Sequence, residues 1–292
     1  REQIGIEGKL DGTALRQVKR GKPQVMRLKI VILFALIGSL SAEGRADKHP
    51  LRLWYTKPAE KWTEALPVGN GSLGAMIFGG TENERIQFNE ETLWTGSPLD
   101  YARKGAAEYL NPIRQLLFEG KQKEAEELAM KEFMSDPLRQ EAYQSFGDLN
   151  LHFPGHGQFS GYSRELDLRK ALHRVTYQSG GVTYTRESFV SYPDKALVIQ
   201  LSAGRKKALR FDAGFDALHQ EKKVGASGNT LRLEVQVKGG ALRGVAWVRI
   251  ITDGRIETAG NRLSVSEAQR ATLILTAATN YVNYHDVSGD PD

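Results

Sequence analysis

Trp62–Gly96 reads WTEALPVGNGSLGAMIFGGTENERIQFNEETLWTG, with glycines at 69, 71, 74, 79, 80 and 96. Within Glu84–Asn89, Ile86 and Phe88 alternate with polar residues, the period of a half-buried strand. Ala75–Phe78 is short and apolar and reads as its partner, with Thr81-Glu82-Asn83 closing a hairpin between them. Glycine at this density means that the backbone turns sharply or lies close to something. Tight turns in a β domain meet that description, and so does a loop shaped to meet a ligand or a second domain. The end of the stretch, Asn89-Glu90-Glu91-Thr92-Leu93-Trp94, sets an amide, two carboxylates and an indole together after a strand. That is the make-up of a sugar-contacting loop.

Outward from this hairpin the pattern is nearly all strand. Leu51–Tyr55 reads as a first strand. From Gly147 onward Leu149, Leu151 and Phe153 alternate, as do Leu166 and Leu168. His173–Tyr177 and Val182–Tyr192 flank Ser179-Gly180-Gly181, a hairpin signal. Segments 196–203, 209–215, 231–237, 246–251, 262–265 and 271–278 complete the series, with Asp253-Gly254 and Gly260-Asn261 as tight turns. One helical region interrupts it. Asn111 is placed as an N-cap, Pro112 in the first turn, Ile113, Leu116 and Leu117 on one face, and Gly120 at the end. Lys121–Met134 reads as a second amphipathic helix, its Lys and Glu forming a solvated face. Many short strands bounded by turns, without βαβ alternation, mean a sandwich or a barrel. The expected fold is all-β dominated, a large β-sandwich with a two-helix excursion around 106–134.

The chain has 292 residues, a formal charge of +5 and no cysteine. Ten of its 40 Lys and Arg but only five of its 35 Asp and Glu precede Pro50, so the rest holds 30 of each. With no basic excess there, nucleic acid is not an expected partner. The excess sits in a leader. Met26-Arg27-Leu28-Lys29, the apolar run Ile30–Ile37 and the small residues that follow have the layout of a secretory signal peptide over 26–46. The run is too short for a comfortable membrane span. Residues 1–25 read as upstream sequence, 50–286 as the β-sandwich, and the expected location is the periplasm or the cell exterior. Without cysteine there is no thiolate chemistry and no cysteine metal site.

Glu90, Glu91, Asp148, Asp212 and Asp216 are the carboxylates available for acid–base work, but no spacing forces two of them together. Neighbours such as Glu90 and Glu91 point to opposite faces of a strand. The six histidines, at 49, 152, 156, 173, 219 and 285, have no HExxH spacing and are expected on the surface or in strands. No G-x-S-x-G elbow is present. No catalytic residue, cofactor or metal site is expected.

Several of these stretches, in this order, resemble the N-terminal domain of glycoside hydrolase family 95, the inverting α-L-fucosidases. The resemblance is carried by ALPVGNGSLGAMIFGG and ERIQFNEETLWTG, then by NPIRQLLFEG (Asn111–Gly120), KEAEELAMKEF (Lys123–Phe133), YQSFGDLNLHF (Tyr143–Phe153), YSRELDL (Tyr162–Leu168) and VTYTRESFVSYPDKALVIQLSA (Val182–Ala203). It covers about residues 51–284. It implies a supersandwich-like fold and, in the family, a general acid and water-activating groups carried by an (α/α)6 barrel that follows this domain. No position of this sequence matches those groups, so the resemblance carries over no catalytic residue. It implies that residues 287–292 begin a linker, that the partners are the missing barrel and a fucosylated oligosaccharide, and that this chain alone is inactive and exposes an apolar face. On this reading Asn70, Asn89, Glu90 and Trp94 form a substrate rim or a domain interface. The second reading is a stand-alone carbohydrate-binding β-sandwich, with Trp54, Trp62, Trp94 and Trp247 as stacking residues, although most of the four are expected in the core.

Overall fold

The computed structural model describes residues 51–292. The expected leader segments, 1–25 and 26–46, lie outside the described residues.

Among the described residues, sixteen strands form two antiparallel sheets. Nine make the larger one: β1 (Arg52–Tyr55), β6 (Ser160–Asp167), β7 (Leu172–Ser179), β8 (Val182–Ser191), β9 (Ala196–Ala203), β16 (Arg270–Thr279), β13 (Arg243–Thr252), β12 (Thr230–Gln236) and β11 (Glu221–Ser227), in that spatial order. The smaller sheet runs β14 (Arg255–Ala259), β15 (Arg262–Ala268), β10 (Leu209–Asp216), β5 (Gly147–His152), β4 (Asn83–Glu90), β3 (Leu73–Ile77) and β2 (Leu66–Gly69). The two pack face to face as a sandwich, because each strand alternates apolar residues inward and polar residues outward. In β5, Gly147, Leu149 and Leu151 are buried while Asp148, Asn150 and His152 are partly exposed. Phe88, Phe146, Phe153, Phe211 and Phe215 fill the space between the sheets, with Phe88 and Phe146 stacked at 5.3 Å.

Charged groups also lie in this core. Glu84 on β4 and Arg186 on β8 form a buried ion pair, Nη1 to Oε2 2.7 Å, that joins the two sheets. Gly79 N–H donates to Glu84 Oε1 at 2.7 Å, and Tyr162 Oη donates to the Gly79 carbonyl at 2.7 Å. Arg186 also donates to the Gly80 carbonyl and covers the rings of Phe153 and Tyr177. A Cβ at Gly79 would stand 2.6 Å from the Tyr162 hydroxyl, and φ there is 75°, so glycine is required. Arg164, also buried, donates to the Lys57 and Glu64 carbonyls at 2.8 and 2.7 Å. Two of the histidines are interior, His173 within a strand as expected and His156 in a buried turn. His156 bonds Tyr177 Oη at 2.8 Å, and His173 on β7 is 1% exposed with neither ring nitrogen hydrogen-bonded.

The helical excursion differs from its expectation in both parts. A 3-10 turn, Ala106–Tyr109, runs directly into α1 (Leu110–Phe118). Asn111 is therefore inside the first turn and not the N-cap; Gly105, at φ 81°, is where the backbone breaks. The other end is as expected: Gly120 has φ 75°, and Lys121 N–H to Leu116 O (2.9 Å) with Gly120 N–H to Leu117 O (3.1 Å) forms a glycine-terminated Schellman cap. The second helix is shorter than 121–134. It is α-helical over α2 (Gln122–Leu128) and widens into a five-residue π turn, Ala129–Phe133. The whole excursion buries only Ala125.

The tryptophans are also a correction. Trp54, Trp62, Trp94 and Trp247 are all on the surface, 36% to 59% exposed. Trp54 lies on the edge strand β1, and Trp247 takes an outward place on β13 because Ala246 and Val248 hold the inward ones.

Candidate functional site

The open end of the sandwich is where β4 stops and β16 lets the chain out. Glu90, the last residue of β4, pairs with Leu73, so the β2–β3 turn lies beside it; Ser72 O accepts the Glu91 N–H at 2.9 Å. Asn70 shapes that turn. Its Oδ1 accepts the Ser72 and Leu73 N–H groups at 3.1 and 2.8 Å, and its Nδ2 donates to the Ser191 carbonyl at 2.9 Å, tying in the β8–β9 turn. Asn89 donates to the Gln144 carbonyl at 3.1 Å. Both polar atoms of the Asn70 amide and the Nδ2 of Asn89 are thus engaged within the domain.

Glu90 is nearly buried. Its Oε2 accepts Thr92 N–H (2.9 Å) and Thr92 Oγ1 (2.6 Å), and Thr92 Oγ1 in turn meets Thr279 Oγ1 at the end of β16. Burial raises its pKa above the usual carboxylate range, against the Thr92 hydrogen bonds that lower it. Leu93 is fully buried and anchors the loop, which puts its neighbour Trp94 at the surface. The Trp94 indole N–H donates to Glu91 O at 2.9 Å, and its ring meets Tyr143 at 5.1 Å.

Trp94 borders a cleft of about 560 Å³. The loop 94–101, the segment 135–141 and the chain after β16 line it, with Tyr101, Tyr281 and Tyr284 supplying rings and Gln140, Glu141 and Asn283 supplying polar groups. Its shape depends on Gly96. There φ is 82°, and a Cβ would stand 2.4 to 2.6 Å from the Glu141 carboxylate group, which is held by Thr95 Oγ1 at 2.7 Å. The Gly96 carbonyl accepts Ala241 N–H at 2.8 Å, fixing the cleft to the β12–β13 turn. An indole, three phenol rings and a few amide and carboxylate groups around such a volume suit a ring with apolar faces and polar edges.

Of the four rim residues read from sequence, Trp94 borders the cleft, Glu90 holds the loop beneath it, and Asn70 and Asn89 build the turns alongside. Sequence reasoning missed Tyr281 and Tyr284. They follow the last strand in a segment without periodicity, and nothing local ties them to Trp94, about 190 residues away.

The fold does bring carboxylates together. Asp148 on β5 and Asp216 on β10 are cross-strand partners on the outer face of the smaller sheet. Each is engaged, Asp148 with Arg85 at 3.1 Å and Asp216 with Lys222 at 2.6 Å. Among the described residues no three His, Asp or Glu side chains are grouped to hold a metal ion.

Residues 53–284 match the family model described as "Glycosyl hydrolase family 65, N-terminal domain". "Alpha-L-fucosidase 2" of Arabidopsis thaliana is 34% identical over 267 residues, which is 82% of this chain and 31% of that protein. "Probable alpha-fucosidase A" of Aspergillus niger is 27% identical over 251 residues, 78% of this chain and 30% of that protein. The Aspergillus oryzae protein of the same name is 24% identical, over 78% of this chain and 33% of its own length. The chain spans about a third of the curated relatives it matches.

Proposed function

The chain belongs to the family of glycosyl hydrolase family 65 N-terminal domains, and on that premise we propose that it is the N-terminal β-sandwich of a secreted α-L-fucosidase-like glycoside hydrolase. In the longer protein it supports a following catalytic barrel. The barrel cleaves terminal α-L-fucosyl linkages with inversion, by an acid on the leaving oxygen and a base on water. The leader at 26–46 directs export, and residues 287–292 begin the linker. Trp94, Glu90 and the turns built by Asn70 and Asn89 face that barrel or the substrate entrance.

One observation supports this reading most. The Glu90–Trp94 loop, the cleft and the exit of β16 at Thr279 share one end of the sandwich. A domain following in the chain arrives at the face that carries the exposed rings. The names and lengths of the curated relatives point the same way.

The test is to compare this chain with a longer version carrying the following domain, using 2′-fucosyllactose as substrate. The longer protein is expected to release L-fucose as the inverted β-anomer, visible by proton NMR at early times, and this chain to release none. Hydrolysis by this chain alone, or retention by the longer one, contradicts the reading. The exposure of all four tryptophans favours the second reading, a carbohydrate-binding sandwich without catalysis. That reading requires the longer protein to be inactive as well.

A further inference from the structure

The edges of the two sheets are not guarded alike. β11, at one edge of the larger sheet, carries Glu221-Lys222-Lys223. At the edges of the smaller sheet, β14 carries Arg255 and Glu257, and β2 carries Pro67. Charge and proline keep a free edge from pairing with another chain. β1, the remaining edge, reads Arg-Leu-Trp-Tyr, and all four residues are exposed. Among the described residues no strand pairs with its outer side. Leu51 O accepts the Leu168 N–H at 2.8 Å. Alternation along an antiparallel strand therefore turns the N–H and C=O of Leu53 and Tyr55 towards β6, and those of Arg52 and Trp54 towards the free side.

The cover of the sandwich also stops short of β1. Leu53 and Tyr55 stand opposite Leu166 and Arg164, which are 5% and 1% exposed, so both point to the inner side of the sheet. Yet Leu53 and Tyr55 are themselves 43% and 40% exposed. The reason is the width of the smaller sheet: its edge strand β2 packs on β6, β7 and β8. Leu51 and Leu168 extend the same apolar strip, each more than half exposed. On the outer side Arg52 stands opposite Asp167 and Trp54 opposite Glu165, with Arg52 Nη1 3.2 Å from Glu165 Oε2.

We propose that β1 is a self-pairing edge, and that its partner is β1 of a second copy of this chain, antiparallel about a two-fold axis at Leu53. The strand's own chemistry selects this register. It makes Arg52 and Trp54 of opposite copies the hydrogen-bonded pairs, and these are the residues whose backbone groups are free. On the outer side each Arg52 guanidinium faces the indole of the other copy, a cation–π pair made twice. Each cross-strand row then reads Asp167, Arg52, Trp54, Glu165, with the cation between a carboxylate and a ring. On the inner side Leu53 meets Leu53, and Leu51 meets Tyr55. A slip one way sets arginine against arginine, and a slip the other way leaves Arg52 without an indole. The same patch serves both copies, as a closed dimer requires. With four residues a side the contact is a weak one. It uses no residue of the Trp94 cleft and stands independently of the proposed function.

The chain has no cysteine, so a single introduced thiol can cross-link only to its own copy. Directly opposed residues of a non-hydrogen-bonded pair, as Leu53 would be, have Cα atoms about 4.5 Å apart, within reach of a disulfide. The two Trp54 residues would be diagonal neighbours about 7–8 Å apart, too far for one. The experiment treats Leu53→Cys and Trp54→Cys forms of the 292-residue chain with diamide and follows dimer on non-reducing gels, beside sedimentation velocity of the wild type over a concentration series. The wild type is expected to form a reversible dimer that grows with concentration, and Leu53→Cys to cross-link about tenfold faster than Trp54→Cys. Leu53→Lys sets two like charges face to face and is expected to sediment as a monomer with an unchanged circular dichroism spectrum. A wild type that stays monomeric at every concentration, equal cross-linking rates at the two positions, or dimerisation of Leu53→Lys like that of the wild type would each overturn the proposal.

Discussion

Strand β4 begins at one end of the sandwich and finishes at the other, and the two ends are built oppositely. At Gly79-Gly80 the end is sealed. Glu84, Arg186, Tyr162 and His156 are drawn inside and hydrogen-bonded, and the glycines let the turn close over them. At Glu90–Trp94 the end is open. Its carboxylate is used to hold a loop, and its rings are left at the surface around a cleft. A single stretch of sequence supplies both. The sealed end spends polar groups on joining two sheets; the open end spends apolar groups on a surface that this chain does not cover. Buried, paired charges and exposed rings are thus placed at opposite ends of the same strands.

Mutation at the sealed end should have the largest effect. Glu84→Ala leaves the Arg186 charge buried without its partner and is expected to cost about 3–5 kcal/mol, read from urea unfolding. Paired with Arg186→Met, most of that loss should return, because the unpaired charge is gone. A double variant as unstable as the single one would mean that the pair does more than compensate for its own burial.

His173 sharpens the same contrast through pH. Burial first, then the Arg186 and Arg164 charges, hold its pKa down at about 3. The unfolded chain takes up this proton near pH 6.5, so the unfolded state binds more protons between the two values. The His173 contribution is complete above about pH 6.5 and falls by about 1.4 kcal/mol for each pH unit below it, until about pH 3. Burial raises the Glu84 pKa and gives a slope of opposite sign, so the informative quantity is the difference between wild type and His173→Leu. The variant should be at least as stable at pH 8 and lose less stability on acidification. Parallel pH profiles would contradict the assignment.

At the open end the effects on this chain shrink. Gly96→Val forces a branched residue to φ 82° and pushes on Glu141; about 1–2 kcal/mol is expected, with a shift in Trp94 fluorescence as the cleft is reshaped. Trp94→Ala removes the ring contact with Tyr143 and should cost this chain about 0.5–1.5 kcal/mol by thermal unfolding.

The sandwich was legible because most of its strands keep strict alternation and glycine pairs mark the turns, as at Ser179-Gly180-Gly181. Strands β11 and β14 were not, since Glu221–Ser227 and Arg255–Ala259 lie at sheet edges and bury no residue. The buried ion pair had a signal that polarity concealed. Glu84 shares its parity with Ile86 and Phe88, and Arg186 with Val182 and Tyr184, so period two places both charges on the inward face. The Asp148–Asp216 pairing and the Trp94–Tyr281 cleft join residues far apart in sequence, and only strand order brings them together.

On the function proposed above, the open end serves a following domain. The most direct measurement is kcat/KM on 2′-fucosyllactose for Trp94→Ala and Tyr281→Ala in the longer protein, alongside domain packing by small-angle scattering. A loss of about tenfold or more, or a loosened domain arrangement, is expected, while the same changes leave the fold of this chain intact. Unaltered activity together with unaltered packing would contradict it.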